Sequence, residues 1–229
     1  MENLRNIYKK NISDLKKQVQ KTCTRAGRDP AEVTIIAATK YADPEGVKLV
    51  NGLGIKHFGE NRADELLHKK ANLGKDAVWH FIGHLQSRKA RDVVPIVEYI
   101  HSIDSLKIIE KVGREAARCG KIQKVLIEVN ISGEETKYGL MPDIVIDFIN
   151  KAAEVDNIEL CGLMSMAPYT SDMELVRNVF RQLRELRDRI WSLGKTPSFY
   201  ELSMGMSNDY IIAIEEGATM IRIGSSIFK

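Results

Sequence analysis

Residues 33–46 read VTIIAATKYADPEG and contain the unit from which the rest of the chain can be understood. The apolar run over 34–39 has the length of one buried strand and ends at a lysine, Lys40. Asp43 followed by Pro44 is typical of a helix start, with the aspartate as N-cap and the proline at the first helical position. A strand joined to a helix by a short polar connection is the repeating unit of α/β proteins.

The same pattern recurs along the whole sequence. Before it, Leu4, Tyr8, Ile12, Leu15 and Val19 recur at intervals of three or four and predict an amphipathic helix. About eight strands alternate with helices and no hairpin signal is present, which favours a parallel sheet. The predicted strands span 33–40, 55–60, 78–83, 99–103, 125–130, 158–164, 200–204 and 220–224.

These elements predict an α/β fold, a single (β/α)8 TIM-type barrel with an extra N-terminal helix. We expect one PLP-binding barrel domain over 1–229, where PLP is pyridoxal 5'-phosphate, with the helix at 1–27 packed on the barrel. An open doubly wound sheet is the alternative, and the lack of a glycine-rich fingerprint after the first strand counts against it.

Helix caps are predicted at two later points. Ser105 is placed to cap the helix after the fourth strand. Ser171 and Glu174 have the spacing of a capping box before the longest predicted helix, which ends at Gly194.

Composition narrows the class of protein. Of 229 residues 44% are hydrophobic, and 34 basic against 31 acidic residues leave a net charge of +3, so nothing indicates a nucleic-acid partner. Three widely spaced cysteines fit reduced thiols, and no apolar run approaches the ~18 residues of a membrane span. We expect a cytoplasmic protein without membrane partners.

Alternation along the strands assigns side chains to the inside or the outside of the barrel. Lys40 then shares the inward face of the first strand with Ile36 and Ala38. A lysine at a strand end is equally explained by a side chain that extends into water, which is the more common case. Position alone therefore leaves the role of Lys40 open.

Arg222 is predicted to be a charged residue inside the barrel. Ile221 and Ile223 fit the helix-facing side of the eighth strand, which puts Arg222 inside, where a guanidinium costs energy unless it is paired. The same parity puts Glu128 of the fifth strand inside. A structural pair between Arg222 and Glu128 and a ligand-binding arginine both remain open at this point.

Two loops at one end of the predicted barrel can bind an anion. The segment SMGMSND at 203–209 places the Ser207 hydroxyl before a helix, and Gly224 and Ser225 follow the eighth strand. The alternative for the first loop is that Ser207 caps its own helix while Asp209 complements the helix dipole. Together the two loops occupy the usual phosphate position of barrels and favour a phosphorylated ligand.

A strand-end lysine, an inward arginine and a phosphate site indicate a phosphorylated aldehyde held as a Schiff base, and PLP has this chemistry. Lys40 would form the Schiff base, and Arg222 would donate to the pyridine nitrogen. Because an arginine does not accept the ring proton, the nitrogen would stay unprotonated and the ring would be a weaker electron sink.

Other kinds of site find no support in the sequence. The five histidines include no HExxH, and no cysteine pair has zinc spacing, so no metal site is predicted. His80 and His84 share one strand parity and are interpreted as core or rim residues. No GxSxG or Walker motif is present.

The ordered motifs resemble those of the pyridoxal phosphate homeostasis proteins, single-domain relatives of the alanine racemase N-terminal barrel. They cover essentially the whole chain and read IIAATK, HFGENRADEL, WHFIGHLQSRK, EVNISGEETKYG, CGLMSM, ELSMGMSND and MIRIGSSIF. The resemblance implies PLP on Lys40, with phosphate contacts from Ser207, Gly224 and Ser225 and with Arg222 at the pyridine nitrogen. It further implies that Asn61 and Met204 line the cofactor pocket. Lys137 matches a recurrent family lysine, and three positions depart from the family pattern: His84, Arg88 and Thr136.

The role implied by the resemblance is intracellular PLP homeostasis and delivery, with no catalytic residue assigned. Racemases similar to this chain take a second acid/base from a further domain, which we expect to be absent because the chain ends at Lys229. Tyr41 and Lys137 are the nearby candidates for such a base. A weak PLP-dependent racemase or other Schiff-base enzyme is the alternative, and a scaffold with a vestigial site is a third hypothesis. We expect apo-PLP enzymes as recipients and a monomer or weak dimer.

Overall fold

The computed structural model describes residues 2–40, 42–74, 76–194, 196 and 198–229. Within these residues eight parallel strands close into a barrel, each paired with its neighbours in sequence and the last paired with the first. The strands are β1 (Thr34–Ala38), β2 (His57–Glu60), β3 (Val78–Phe81), β4 (Tyr99–Ile103), β5 (Gln123–Glu128), β6 (Ile158–Met164), β7 (Glu201–Met206) and β8 (Met220–Ile223). Closure confirms the predicted (β/α)8 barrel and excludes the open doubly wound sheet.

Helices surround the barrel and connect its strands. They are α1 (Glu2–Arg25), α2 (Pro44–Gly52), α3 (Ala63–Lys70), α4 (Ala90–Val93), α5 (Leu106–Arg118), α6 (Val145–Ala152), α7 (Met173–Ser192), α8 (Tyr210–Glu215) and α9 (Ser225–Phe228). Short 3-10 turns lie at Pro30–Glu32, Ser87–Lys89 and Pro142–Ile144. None of the helices formed by the described residues combines the length and the apolar character needed to cross a bilayer.

The extra N-terminal helix α1 is present and packs against the last two helices. The Tyr8 ring stands edge-on to Phe228 with centroids 5.6 Å apart. The Asn11 side-chain amide donates to the carbonyl oxygens of Ile227 at 3.1 Å and Lys229 at 2.8 Å. The buried stripe begins at Tyr8, whereas Leu4, which the periodicity also assigned to it, is exposed. The stripe therefore joins the first helix to the end of the chain.

One predicted helix cap is confirmed and two are wrong. Asp43 caps α2 and accepts from the Gly46 N–H at 2.7 Å. Asp172, not Ser171, caps α7 and accepts from two backbone N–H groups at 3.1 Å, because it directly precedes the first helical residue. Ser105 occupies the N-cap position of α5 but its side chain forms no cap hydrogen bond.

The strand parities separate two buried layers. The inner layer contains the buried apolar residues Ile36, Leu126, Cys161, Met164 and Met220. The outer layer, between strands and helices, contains their strand neighbours, among them Ala37, Ile127, Ile221 and Ile223. Ile36 of β1 is in register with Arg222 of β8, so both lie on the inward parity that the sequence predicted.

Gly83 lets two neighbouring strand ends approach closely. A Cβ built on Gly83 would clash with the Asn61 carbonyl oxygen and would lie 2.7 Å from the Asn61 Cα atom. Both are backbone atoms and cannot rotate away. Glycine at this position therefore fixes the path of the chain after β2.

We predict that Gly83→Ala lowers the free energy of unfolding by about 2 kcal/mol or more, because the new methyl group displaces the backbone at Asn61. Urea denaturation of the purified protein measures the effect. Gly52→Ala is the matched control, since nothing lies within 4 Å of its Cβ, and it should leave stability unchanged or raise it by up to about 1 kcal/mol. Equal stability of the two variants would contradict the prediction.

Candidate functional site

The candidate site lies at the mouth, by which we mean the C-terminal end of the barrel. Lys40 is exposed there, two residues beyond the last residue of β1. Arg222 lies on the adjacent strand β8 and is 5% exposed. The barrel thus places a solvent-accessible amine and a buried guanidinium on neighbouring strands.

A buried ion pair fixes the backbone next to Lys40. Lys69 of α3 is 2% exposed, and its Nζ lies 2.7 Å from Oε2 of the fully buried Glu60. Nζ also donates to the Thr39 carbonyl at 2.9 Å, and the Thr39 hydroxyl donates to Glu60 Oε2 at 2.7 Å. The Asn61 N–H donates to Glu60 Oε1 at 2.8 Å. One pair of charges therefore holds the residue before Lys40 and the backbone of Asn61.

Sequence reasoning missed this ion pair, although a signal for it was present. The buried residues of α3 are Ala63, Leu66 and Lys69, at intervals of three. A lysine that completes the inward stripe of a helix has to find a buried acceptor. Its partner is nine residues away in sequence and the Thr39 carbonyl is thirty away, so only the folded chain identifies them.

Arg222 is held by backbone and hydroxyl oxygens. Nη1 donates to the carbonyl oxygen of Ser203 at 2.7 Å and to its hydroxyl at 2.6 Å, and Nη2 donates to the Ser165 carbonyl at 3.0 Å. No carboxylate among the described residues lies within 4.0 Å of the guanidinium, so the predicted pair with Glu128 does not form. Carbonyl oxygens at the ends of β6 and β7 replace it. Burial lowers the pKa of Arg222 to about 10, and the charges of Asp209 and Glu128 oppose that shift, so the group stays protonated at neutral pH.

Glu128 is a buried carboxylate on the inward face of β5. Its side chain belongs to a residue only 4% exposed, and no donor in the described part of the chain forms a hydrogen bond with the carboxylate. Burial raises the pKa of Glu128 to about 7, Asp104 raises it further, and Arg222 opposes the rise. Glu128 therefore changes its protonation state near neutral pH.

Three histidines occupy the barrel interior below the mouth. His80 and His101 are fully buried, as the interpretation of His80 as a core residue predicted, and His57 is partly buried. They are joined ring to ring by hydrogen bonds. His84 lies apart from them, with Nδ1 3.4 Å from an Asp104 carboxylate oxygen. Among the described residues no cluster of potential ligands could hold a metal ion.

The two predicted anion loops meet in the structure. The Ser226 N–H donates to the Ser207 hydroxyl at 3.3 Å, so Ser207 bonds to the other loop and does not cap its own helix. Asp209 accepts from the Met206 N–H at 2.5 Å. A Cβ built on Gly224 would lie 3.5 Å from the Ala38 carbonyl oxygen, which places the second loop beside the strand that leads to Lys40.

The remaining predicted residues are placed less uniformly. Asn61 is exposed at the end of β2. Met204 is fully buried in the outer layer, so its side chain packs toward the helices. The Lys137 amine pairs with Glu134 at 2.5 Å and donates to the Met166 carbonyl at 3.4 Å. Tyr41 lies outside the described residues.

Known proteins resemble the chain over nearly its full length. The family model for the alanine racemase N-terminal domain matches residues 11–229. A pyridoxal phosphate homeostasis protein of Aquifex aeolicus is 40% identical over 218 residues, which are 95% of each chain. The chain belongs to this family.

Solved structures agree with the family assignment. A crystal structure of a protein from Bifidobacterium adolescentis has a TM-score of 0.95 and 34% identity, covering 100% of this chain and 97% of that one. PipY of Synechococcus elongatus, solved with PLP bound, has a TM-score of 0.82 and 30% identity and covers 93% of this chain and 100% of its own. These likenesses confirm the resemblance that the sequence motifs indicated.

The pKa of Glu128 makes a prediction for the ligand-free protein. Because the folded pKa lies above that of an unfolded glutamate, the folded state binds more protons between the two values, and stability falls as the pH rises through about 7. Glu128→Gln removes this loss, so at about pH 8 it should be more stable than the wild type by about 1 to 3 kcal/mol.

Urea unfolding at about pH 5 and about pH 8 tests the Glu128 prediction, with near-equal stability expected at the lower value, where wild-type Glu128 is protonated. Glu110→Gln, on the solvent face of α5, is the control and should change stability little at either pH. A Glu128→Gln variant less stable than the wild type at the higher pH would contradict the account.

Proposed function

We propose that the chain binds PLP at the mouth, holds it as a Schiff base on Lys40 and acts in intracellular PLP homeostasis and delivery. The observation that carries the proposal is the meeting of the two anion loops beside β1. The Ser207 hydroxyl and the Ser226 N–H form a 3.3 Å hydrogen bond, and Gly224 packs against the Ala38 carbonyl. A phosphate bound there would lie next to the strand that ends in the reactive amine. The naming of the Aquifex aeolicus relative and the PLP-bound PipY support the same ligand.

The residues of the site fit the chemistry of this cofactor. When bound, PLP supplies an electrophilic aldehyde, which condenses with a lysine amine and releases one water. The protonated Arg222 is a donor only and so suits an unprotonated ring nitrogen. Hydroxyl and N–H groups of the two loops suit the phosphate. The proposed cofactor residues are Lys40, Asn61, Met204, Ser207, Arg222, Gly224 and Ser225.

The alternative is a PLP-dependent amino-acid racemase, and one observation favours it. Glu128 is an inward carboxylate with a pKa of about 7, which suits a general acid or base. However, β5 stands four strands from β1 in either direction around the barrel. A base for racemisation has to reach the reacting carbon within hydrogen-bond distance. The carrier function is therefore the better supported of the two.

The cellular setting is part of the same proposal. We place the protein in the cytoplasm as a monomer or weak dimer, with apo-PLP enzymes as recipients of the cofactor. Cys23, Cys119 and Cys161 are free thiols, in agreement with a reducing compartment.

Lys40→Ala should abolish the visible absorption band that PLP gives with the wild-type protein, because it removes the amine that forms the Schiff base. Borohydride reduction followed by peptide mass mapping should locate the wild-type adduct on Lys40. Lys48→Ala, which removes an exposed lysine of α2, is the control and should keep both signals.

Three results would count against the proposal. They are an adduct on another lysine, an unchanged band in Lys40→Ala, and steady racemisation of amino acids by the wild type. The last would favour the enzyme alternative.

A further inference from the structure

A line of hydrogen bonds crosses the barrel from β2 to β8. Nδ1 of His57 lies 3.0 Å from Nε2 of His80, and Nδ1 of His80 lies 2.9 Å from Nε2 of His101. Nδ1 of His101 lies 2.8 Å from the Ser203 hydroxyl, which is 2.6 Å from Nη1 of Arg222. We call His57, His80, His101 and Ser203 the histidine line.

The donors and acceptors of the line can be assigned from its Arg222 end. A guanidinium only donates, so the Ser203 oxygen accepts from Arg222. In the described part of the chain, the other partner of this hydroxyl is Nδ1 of His101, which must therefore accept the single hydroxyl proton. An unprotonated Nδ1 leaves the proton of the neutral His101 ring on Nε2.

The same assignment passes along the line. Nε2–H of His101 donates to Nδ1 of His80, and Nε2–H of His80 donates to Nδ1 of His57. All three rings then carry their proton on Nε2, and every bond runs away from Arg222. The line ends at His57, the first residue of β2, which is partly buried at the opposite end of the barrel.

The rings also have reason to remain uncharged. Burial holds the pKa of His80 and His101 well below the usual histidine range, and the neighbouring rings and Arg222 add to the shift. Burial also lowers the pKa of His57. A second proton on His101 would set an N–H against the hydroxyl proton of Ser203. The neutral line therefore keeps one direction.

Apolar side chains would fill this space at lower cost. The same interior already holds Leu126, Met164 and Met220, and burying polar rings costs free energy unless each nitrogen finds a partner. Here each ring nitrogen between Ser203 and His57 has one, and Tyr99 stacks on His80 at an interplanar angle of 4°. A fully satisfied polar network specifies one arrangement of its members.

We propose that the histidine line positions Arg222, with each histidine as the Nε2–H tautomer and the Ser203 hydroxyl locked as an acceptor for the guanidinium. The consequence for PLP rests on the proposed function: three of the five guanidinium N–H groups are bonded to protein oxygens, and the line fixes how the others are presented to the pyridine nitrogen. The four residues of the line are thus positioning residues that act through Arg222.

The tautomers can be measured in the full chain without any cofactor. Two-bond proton–nitrogen correlation spectra of the uniformly 15N-labelled protein distinguish protonated from unprotonated ring nitrogens. We expect His57, His80 and His101 to show a protonated Nε2 and an unprotonated Nδ1. A protonated Nδ1 on His80 or His101 would overturn the proposal, whatever the protein binds.

Affinity for PLP tests the positioning role. Ser203→Ala and His101→Phe should each weaken PLP binding by about tenfold and shift the absorption maximum of the bound cofactor, because Arg222 loses its fixed acceptor. His101→Asn keeps an acceptor for the Ser203 hydroxyl and should restore most of the affinity. Leu126→Met changes only apolar packing in the same interior and serves as the control.

The outcomes separate the two proposals. Unchanged affinity and spectrum in Ser203→Ala, with wild-type binding intact, would overturn the positioning role and leave the proposed function standing. A wild-type protein that does not bind PLP would overturn the proposed function and, with it, the cofactor consequence of the line. Should His101→Phe fail to fold, the spectra of the wild type and the binding of Ser203→Ala still decide the question.

Discussion

A guanidinium buried inside a closed parallel barrel is the constraint on which the candidate site depends. Arg222 is 5% exposed, and a desolvated charge is tolerated only where oxygen atoms surround it. The structure meets this need with the carbonyl oxygens of Ser165 and Ser203 and with the Ser203 hydroxyl, not with a carboxylate. Because the acceptors carry only partial charges, Arg222 keeps its full charge for a ligand at the mouth. Glu128, left without a hydrogen-bond donor in the described structure, retains a proton up to about neutral pH.

Two further interactions turn this buried charge into a site. The Lys69–Glu60 pair anchors the backbone on both sides of the β1 and β2 ends, and the Ser207–Ser226 hydrogen bond joins the loops after β7 and β8. The rigid parts of the mouth thus come from adjacent strands around the β8–β1 seam. The exposed Lys40 side chain stands on this anchored backbone, which fits a tether that has to release its cofactor again.

The sequence predicted the elements that depend on local patterns. Hydrophobic alternation located all eight strands, and it assigned Ile36 and Arg222 to the inside and Ile221 to the outside correctly. Asp43 was identified as a cap because its signal lies within four residues. Family resemblance, carried by ordered motifs along the chain, was confirmed by the comparisons.

Features that depend on contacts between distant strands could not be predicted. The parity rule placed Glu128 and Arg222 inside, but it gives no distance, and carbonyl groups that no sequence pattern reveals took the place of the carboxylate. The histidine line needs the stagger of β2, β3, β4 and β7, which is fixed only when the barrel closes. The inward lysine of α3 carried a local signal, yet its acceptors lie on two other elements.

A crystal structure of the full chain grown with PLP tests the central claim most directly. The account predicts continuous density from Lys40 Nζ to the aldehyde carbon, a ring nitrogen at about 3 Å from the Arg222 guanidinium, and the phosphate between the loops of Ser207 and Ser225. A cofactor bound through another lysine, or with its phosphate away from these two loops, would contradict it.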